Sequence, residues 1–295
     1  MPWLQLVLNL PKGRAEQFED WLLELGACSV TYRDAADQPL FEPGPGEIAL
    51  WEDLQLVGLF TDDYQESVLT DELAALLSGE PLPDLLFERL EDQVWERSWM
   101  EHFQPMQFGK KLWIYPSWAE VPDSGTILRL DPGLAFGTGT HPTTALCLEW
   151  LDGQPMTGKT VIDYGCGSGI LAIAALILGA SDVLAVDNDP QALQATQANA
   201  EQNACSDRLR LHAVPTDGAA LGEEADIVVA NILAGPLCEL ASVIAPLVKP
   251  GGTLVLSGIL ADQAEQVMQA YTPGIRFEPP VNREGWVRLT GHKLA

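Results

Sequence analysis

The stretch V-I-D-Y-G-C-G-S-G-I, residues 161–170, decides the fold of this chain. Two apolar residues and an acid lead into a glycine-rich turn, and a run of small and apolar residues, 170–178, follows it. This pattern predicts a buried parallel strand, a tight loop and the start of a helix. Glycine lets the backbone turn sharply and approach a ligand closely, because there is no Cβ to clash. The start of the helix adds unpaired N–H groups at the same place.

The spacing of the glycines separates two classes of enzyme. Dinucleotide dehydrogenases use G-x-G-x-x-G, whose third glycine packs the helix against the strand. Here the spacing is G-x-G-x-G, and Asp163 stands two residues before the first glycine. This form resembles motif I of the class I S-adenosylmethionine (SAM) methyltransferases, which implies SAM as the cofactor. A nicotinamide oxidoreductase is the alternative, and any ordinary strand–turn–helix crossover is the plainer reading.

The next predicted strand, residues 182–187, ends in an acid. Asp187 can accept hydrogen bonds from both ribose hydroxyls of an adenosine. Both cofactor classes share this feature, so it predicts an adenosine-containing cofactor without choosing between them. Asp189 and Pro190 then predict the N-cap and the first residue of a helix.

The charge of the chain limits its partners. The 295 residues include 42 acidic and 16 basic ones, for a net charge of −26, and the first hundred residues hold 21 acidic and 5 basic ones. Because such a surface repels phosphate backbones, we expect no direct binding of nucleic acid. The charge suits a basic protein partner, although solubility alone also accounts for it.

The cysteines and the hydropathy indicate a cytoplasmic protein. Five cysteines are scattered without a C-x-x-C pair, so we expect a reducing compartment, no disulfide framework and no metal site. Residues 1–10 carry no basic segment of the signal-peptide kind, and no apolar run is long enough to span a membrane. We expect no contact with a membrane, and a monomer.

The first part of the chain, residues 1–91, predicts a separate domain. Its apolar patterns alternate in the order β-α-β-β-α-β, which is the ferredoxin-like α+β pattern. The segments are strands at 3–10, 28–33, 54–60 and 85–90, helices at 12–25 and 67–77, and a further extended piece at 48–51. With no histidine and no cluster of ligand residues, this domain is predicted to recognise a macromolecular substrate.

A helical linker is predicted at residues 92–104, and a catalytic domain at 105–295. In the linker, Trp95, Trp99 and Phe103 fall on one face of a helix, a pattern more typical of packing than of recognition. In the catalytic domain, residues 131–144 contain three glycines, two prolines and four threonines, which predicts a loop of special backbone shape before a helix at 145–151. This loop could cover a cofactor.

Three stretches together resemble one bacterial family. They are D-P-G-L-A-F-G-T-G-T-H-P-T-T at 131–144, the motif I run, and V-A-N-I-L-A-G-P-L at 229–237. The chain is similar along its whole length, including W-E-R-S-W at 95–99, to the ribosomal protein methyltransferases of the PrmA family. That resemblance implies SAM-dependent methylation of the large-subunit ribosomal protein numbered eleven, on an α-amino group and on lysine side chains.

The resemblance also implies roles for individual residues. Thr144 resembles the threonine that contacts SAM from the upstream loop, and Gly165 the motif I glycine at the methionine end, with Gly167 beside it. Asp187 resembles the ribose-binding acid. Asn231 resembles the asparagine beside the methyl group, in a catalytic position.

Further residues are expected to line the pocket. The resemblance implies that Phe136, Gly137 and His141 shape the same pocket, and His141 is a candidate catalytic base as well as a loop-shaping residue. Asp217 follows the third predicted strand, where this fold meets the adenine.

The chain position of Asn231 agrees with the resemblance. It follows a buried-looking strand, 225–230, and ligands of open α/β sheets bind at that edge. Methyltransferases acting on planar nitrogens resemble one another in a D/N-P-P-Y/F motif whose aromatic stacks on the substrate. Here the sequence is N-I-L-A, so an aliphatic amine is the better substrate. We therefore expect direct in-line methyl transfer to α-amino and lysine amino groups of the large-subunit ribosomal protein; the alternative is methylation of another protein or of a small-molecule amine.

The remaining segments complete a Rossmann-like α/β sheet. They predict a helix ending at 243–248, a strand at 253–260, a helix at 263–271, and two closing strands at 275–278 and 285–290 that pair antiparallel. A binding protein that has kept the fold without catalysis is a further alternative.

Overall fold

The computed structural model describes residues 2–35, 51–90, 104–122, 125–131, 139–214, 221–272 and 274–294. The chain divides into two compact units, Met1–Glu101 and His102–Ala295. The predicted linker helix at 92–104 lies outside the described residues except for its last position. Within the described ranges, no helix combines the length and the apolar character needed to cross a bilayer.

The first unit is a four-stranded antiparallel sheet in the order β2-β3-β1-β4, with two helices. Its elements are β1 (Trp3–Pro11), α1 (Ala15–Glu24), β2 (Ser29–Asp34), β3 (Asp53–Thr61), α2 (Glu66–Leu76) and β4 (Leu85–Leu90). This order confirms the predicted ferredoxin-like α+β fold. Of the extended piece predicted at 48–51, only Trp51 is described, and it lies outside the strands.

The core of the first unit follows from two periodicities. Alternate residues of β1, among them Leu4 and Leu6, are fully buried, as the period of two in a strand requires. On α1, Phe18 and Leu22 are buried four residues apart, on one face of the helix. The apolar face of the sheet and the apolar stripe of the helix therefore form one core.

The second unit is built on an eight-stranded sheet in the order β10-β9-β8-β11-β12-β15-β13, with β14 paired to β15. Its elements in chain order are β5 (Met106–Phe108), β6 (Leu112–Tyr115), β7 (Thr126–Arg129), α3 (Pro142–Asp152), β8 (Thr160–Tyr164), α4 (Ile170–Ile177), β9 (Asp182–Asp187), α5 (Pro190–Gln202), β10 (Leu209–Ala213), β11 (Ala225–Asn231), α6 (Ala234–Glu239), α7 (Ala241–Ile244), β12 (Val248–Leu260), α8 (Ala264–Tyr271), β13 (Ile275–Phe277), β14 (Val281–Arg283) and β15 (Trp286–Lys293). Strands β5, β6 and β7 form a separate small sheet.

The topology of the large sheet places a ligand site. Strands β10, β9, β8, β11 and β12 run parallel, and β13 and β15 close the sheet antiparallel, as predicted. Strand β8 lies between β9 and β11, so the strand order reverses there. Ligands of open α/β sheets bind at this switch point, beyond the carboxyl ends of the strands.

The start of α3 corrects the sequence prediction. The helix begins at Pro142 rather than Ala145, so Thr143 and Thr144 belong to its first turn. The physical reason is an unusual cap: the imidazole Nδ1 of His141 accepts the backbone N–H of Thr143 at 3.3 Å. Proline at the first helical position needs no hydrogen-bond acceptor for its nitrogen, which lets the helix start early.

A second correction concerns the segment before the fifth parallel strand. The helical segment predicted at 243–248 is an α-helix to Ile244 followed by a 3-10 turn at Ala245–Leu247, but β12 begins at Val248 rather than at the predicted residue 253. The strand continues through Pro250–Gly252 by way of a register shift, since Ala225 pairs with Val248 but Ile227 pairs with Thr253. Proline and glycine usually interrupt a strand, but here a β-bulge accommodates them.

The small sheet is joined to the end of helix α3 by the carboxylate of Asp152. This side chain at the end of α3 is buried and accepts the backbone N–H groups of Lys110 at 2.6 Å, Lys111 at 3.1 Å and Leu112 at 2.9 Å. Gly109 precedes them with φ +70°, and a Cβ there would overlap the Asp152 carboxylate. One buried acid therefore orders the turn between β5 and β6.

We predict that Asp152→Ala lowers the free energy of unfolding by about 2–4 kcal/mol, because three backbone donors lose their acceptor. Asp152→Asn retains one acceptor oxygen, so its free energy of unfolding should lie between those of the parent and Asp152→Ala. Chemical denaturation of the full chain, followed by circular dichroism, measures both. An Ala variant as stable as the parent would show that water replaces the carboxylate without cost.

Candidate functional site

The glycine loop between β8 and α4 has a backbone that only glycine tolerates well. Gly165, Gly167 and Gly169 have φ values of +78°, +55° and +77°, all in the left-handed region. A Cβ on Gly165 would also overlap the side chain of Ile232, which follows β11. The backbone conformation therefore favours glycine at all three positions, and close packing also requires it at Gly165.

Asp187, at the carboxyl end of β9, is held by the same loop. Its Oδ2 accepts the N–H of Gly167 at 2.9 Å, and its Oδ1 accepts the N–H of Asp189 at 3.0 Å. The residue is 9% exposed. Two backbone donors thus fix the plane of the carboxylate, and each oxygen keeps a lone pair for a further donor.

Asp163 is a second acid behind the glycine loop. Its carboxylate is buried and accepts the N–H of Ala172, in the first turn of α4, at 3.0 Å. Burial raises the pKa of Asp163 to about 7, the hydrogen bond from Ala172 opposes this shift, and the negative charge of Asp187 adds to it. The first turn of α4 already faces a carboxyl group of the protein itself.

Asn231 and Thr144 form the polar centre of the site, although 87 residues separate them. The Nδ2 of Asn231, at the end of β11, donates to the Oγ1 of Thr144 at 3.2 Å, and Thr144 is fully buried. The Oδ1 of Asn231 is buried and has no hydrogen-bond partner among the described residues. An unsatisfied buried acceptor costs about 1–3 kcal/mol, so a donor that reached this oxygen would be bound favourably.

The loop after Asn231 is fixed by two glycines, one directly after β8 and the other in β12. Ile232 meets Gly165 with its side chain and Gly258, in β12, with its backbone carbonyl. Gly258 has φ +85°, and a Cβ there would overlap the carbonyl oxygen of Ile232. Leu233 follows and is 46% exposed. The direction of the Asn231 side chain therefore depends on a backbone held from both sides.

His141 has a structural position at the start of α3. Its Nδ1 lies 2.7 Å from the Oγ1 of Thr143, besides accepting the backbone N–H of that residue. Its ring packs edge-on against Trp286, with centroids 4.8 Å apart. Burial lowers the pKa of His141, against the opposing charge of Glu284. Because Nδ1 is used for capping, this geometry favours the loop-shaping role over that of a base.

The structure brings together most of the predicted site residues. Gly167 contacts Asp187 directly, Thr144 contacts Asn231 directly, and Gly165 reaches the Asn231 loop through Ile232. His141 caps the helix that carries Thr144. The remaining three of the nine predicted positions, Phe136, Gly137 and Asp217, lie outside the described residues.

The sequence prediction missed residues that support the site from behind. Thr196, on α5, donates to the carbonyl of Gly167 at 2.9 Å, and Asn199 donates to the carbonyl of Ser168 at 2.8 Å. The sequence does hold a signal: Ala192, Thr196 and Ala200 recur every four residues as the buried stripe of α5. A polar residue in the middle of such a stripe needs a partner.

Ser257 is a further missed residue. It lies in β12, opposite Asn231, at the register shift between β12 and β15. Its Oγ lies 3.2 Å from the carbonyl oxygens of both Thr143 and Val287. Ser257 therefore ties the first turn of α3 to the sheet beside Asn231, and nothing local in the sequence indicates it.

Comparisons with known proteins agree with one another. A family model described as ribosomal protein L11 methyltransferase (PrmA) matches residues 2–294. Proteins named ribosomal protein L11 methyltransferase from Pseudomonas paraeruginosa and from Enterobacter sp. (strain 638) are each 54% identical; they cover 100% and 99% of this chain and 100% of their own lengths. A crystal structure of ribosomal protein L11 methylase from Lactobacillus delbrueckii subsp. bulgaricus is 30% identical with a TM-score of 0.57, and the match covers 65% of this chain and 100% of that one.

We predict that Gly258→Ala is far more destabilising than Gly285→Ala. Both glycines have nearly the same φ, +85° and +82°, so both variants bear the left-handed penalty of about 1 kcal/mol. Only at position 258 does the new Cβ meet a backbone carbonyl, and overpacking of this kind adds roughly 1–3 kcal/mol. Thermal or denaturant unfolding of the two variants measures the difference, and equal losses would refute the close packing around Ile232.

We also predict a pH-dependent effect of Asp163→Asn. An unfolded aspartate has a pKa of about 3.9, whereas Asp163 in the folded protein titrates near 7. Between these values the folded protein holds a proton that the unfolded chain has lost. The contribution of Asp163 to the free energy of unfolding therefore falls as the pH rises through this window.

The asparagine variant keeps an acceptor for Ala172 but has no proton to lose. Its stability relative to the parent should rise between pH 5 and pH 8, as seen in denaturant midpoints of the two proteins side by side. Two curves that stay parallel across this range would contradict a protonated Asp163.

Proposed function

The chain belongs to the ribosomal protein L11 methyltransferase family (PrmA), and on that premise we propose that it methylates amino groups of that ribosomal protein with SAM. One observation carries the proposal: the buried Oδ1 of Asn231 has no partner among the described residues and stands at the switch point of the sheet. The N–H of an entering amine satisfies this oxygen.

The residues around the glycine loop fit SAM. Asp187 offers oriented lone pairs to the two ribose hydroxyls, and Gly165, directly after β8, lies on the side of the loop toward Asn231, where the methionine part would bind. Thr144, through its contact with Asn231, borders the same region. SAM supplies a methyl group on a sulfonium, which is electrophilic without further activation.

The hydrogen bonds of the loop argue against a pyrophosphate-containing cofactor. The N–H groups of Gly165 and Cys166 both donate to the carbonyl of Val186, at 2.8 and 3.0 Å. Gly167 donates to Asp187, and Gly169 donates to the carbonyl of Cys166 at 2.8 Å. Dinucleotide sites use such N–H groups for phosphate oxygens. Here protein acceptors already use them.

The carboxyl group of Asp163 at the start of α4 supports the same choice. Asp163 already receives a hydrogen bond in the first turn of this helix, where a dinucleotide would place its pyrophosphate. Phosphate oxygens there would have to compete with Asp163 for the N–H of Ala172. A cofactor without phosphate avoids this competition.

The proposed transfer is direct: the amine, once its proton has gone to solvent, would attack the sulfonium methyl with its lone pair, the carbon–sulfur bond would break, and S-adenosylhomocysteine would leave. Asn231 accepts an N–H from the amine and so points the nitrogen lone pair toward the methyl group. Thr144 holds the Asn231 amide in the orientation that leaves Oδ1 available. The protein contributes orientation and exclusion of water, and burial lowers the pKa of the amine so that it loses its proton.

An aliphatic amine suits the residues after Asn231. Ala234 is buried where methyltransferases of planar nitrogens have an aromatic ring, and Leu233 is largely exposed. A leucine offers an apolar wall to a flexible alkyl chain but no face for stacking. We therefore propose lysine side chains and an α-amino group as the acceptors.

The two units divide the work in this proposal. Residues 1–91 recognise the protein substrate, residues 92–104 form the linker between the domains, and residues 105–295 form the catalytic domain. The protein acts as a monomer. The excess of 21 acidic over 5 basic residues in the first hundred suits a basic ribosomal protein and opposes direct contact with RNA. The proposed substrate implies a reaction in the cytoplasm, where ribosomal proteins are made.

The test is the intact mass of the purified ribosomal protein after incubation with the enzyme and SAM. We expect gains in steps of about 14 Da, and for Asn231→Ala a rate lower by about 10²–10³ with SAM still bound, because an oriented hydrogen bond is lost. Asn282→Ala, at an exposed position of β14, is the matched control and should keep the parent rate.

Two outcomes would overturn parts of the proposal. If calorimetry shows SAM binding but the ribosomal protein gains no mass, the fold and cofactor stand and the substrate is another protein or a small-molecule amine. If NAD binds and SAM does not, the cofactor assignment itself is wrong.

A further inference from the structure

We propose that Thr196 is a positioning residue for the cofactor: it sets the Asp187 carboxylate that receives the ribose hydroxyls, acting through Gly167. This inference rests on the proposed SAM site. Thr196 lies on α5, outside motif I and outside the three stretches that carry the family resemblance, and it is fully buried.

The first step is the contact between Thr196 and the glycine loop. The Oγ1 of Thr196 donates to the carbonyl of Gly167 at 2.9 Å and lies 3.4 Å from the sulfur of Cys166. Its methyl group faces Gly169 so closely that a Cβ there would lie 2.6 Å from Cγ2. Both ends of the threonine side chain are therefore used, the hydroxyl as a donor and the methyl as a packing surface.

The second step leads from Gly167 to Asp187. The N–H of Gly167 donates to the Oδ2 of Asp187 at 2.9 Å, while its carbonyl receives the Thr196 hydroxyl. Gly167 is thus held on both of its peptide groups, at φ +55°. Glycine has access to more backbone conformations than any other residue. Without the hydrogen bond from Thr196, only the hydrogen bond to Asp187 would hold Gly167 in this conformation.

The third step concerns what the carboxylate does. One oxygen of Asp187 is fixed by Asp189, and the other by Gly167. If Gly167 moves, the carboxylate is free to turn about the remaining bond, and its lone pairs no longer point where two neighbouring hydroxyls need them. Loss of the Thr196 hydroxyl should therefore weaken recognition of the ribose specifically.

Asn199 provides an internal comparison. It belongs to the same helix and holds the same loop, but its hydrogen bond ends on the carbonyl of Ser168 rather than Gly167. A general loosening of the loop would make Asn199→Ala resemble Thr196→Val in every measurement. If Thr196 acts through Gly167 and Asp187, the two variants should differ, because the hydrogen bond of Asn199 ends on Ser168.

The experiment compares two threonine variants with two ligands by calorimetry. Thr196→Val keeps the shape and removes the hydroxyl; Thr196→Ser keeps the hydroxyl and removes the methyl. The ligands are S-adenosylhomocysteine and its analogue without the 2′- and 3′-hydroxyls. We expect Thr196→Val to bind S-adenosylhomocysteine about tenfold more weakly, as for one lost hydrogen bond, and Thr196→Ser to stay within about threefold of the parent.

The analogue separates positioning from plain structural support. For it, Thr196→Val and the parent should bind alike, and Asp187→Asn should remove the effect of Thr196→Val on S-adenosylhomocysteine, because both act on one interaction. In turnover, Thr196→Val should raise the KM for SAM and leave kcat nearly unchanged. Equal weakening of both ligands by Thr196→Val would overturn the inference, as would unchanged binding.

Two further measurements keep the inference testable. If Thr196→Val does not fold, Thr196→Cys, with a similar volume and a weaker donor, is measured with the same two ligands and should show the same selective loss. If the parent protein binds neither S-adenosylhomocysteine nor its analogue, the proposed function fails, independently of any role of Thr196.

Discussion

The site depends on the close approach of Ile232 to two glycines. Gly165, after β8, and Gly258, in β12, leave no room for a Cβ beside this residue, and it directly follows Asn231. Three neighbouring strands thereby fix one short loop. The glycine loop, the amide of Asn231 and the irregular stretch of β12 near Ser257 all border the backbone of Ile232. A change in any one of them would therefore disturb the other two.

The hydrogen-bond pattern explains the chemical character of the pocket. Amide donors in the glycine loop are used by Val186, Asp187 and the loop itself, and a buried acid stands at the start of α4. What remains is a set of oriented acceptors: the carboxylate of Asp187 and the Oδ1 of Asn231. A pocket rich in acceptors suits hydroxyl, ammonium and amine donors, which agrees with the family to which the chain belongs.

Much of this arrangement could be predicted from the sequence, because it is local. The run from Asp163 to Ile170, the acid ending β9 and the asparagine ending β11 all follow from apolar patterns and their ends. The start of α3 could not, since histidine is an uncommon cap, and neither could the passage of β12 through Pro250 to Gly252. Thr196 joins Gly167 across 29 residues, a contact that exists only once the helix has packed.

The contacts at the two ends of helix α3 limit the insertions that this chain can tolerate. Its first turn carries Thr144 to Asn231, and its last residue, Asp152, orders the turn at Lys110 to Leu112. Each residue of an α-helix adds about 1.5 Å and about 100° of rotation. Adding or deleting one residue between these two ends would turn one of them away from its partner. The two contacts therefore fix the number of residues in α3, and insertions or deletions in this unit are expected in the loops.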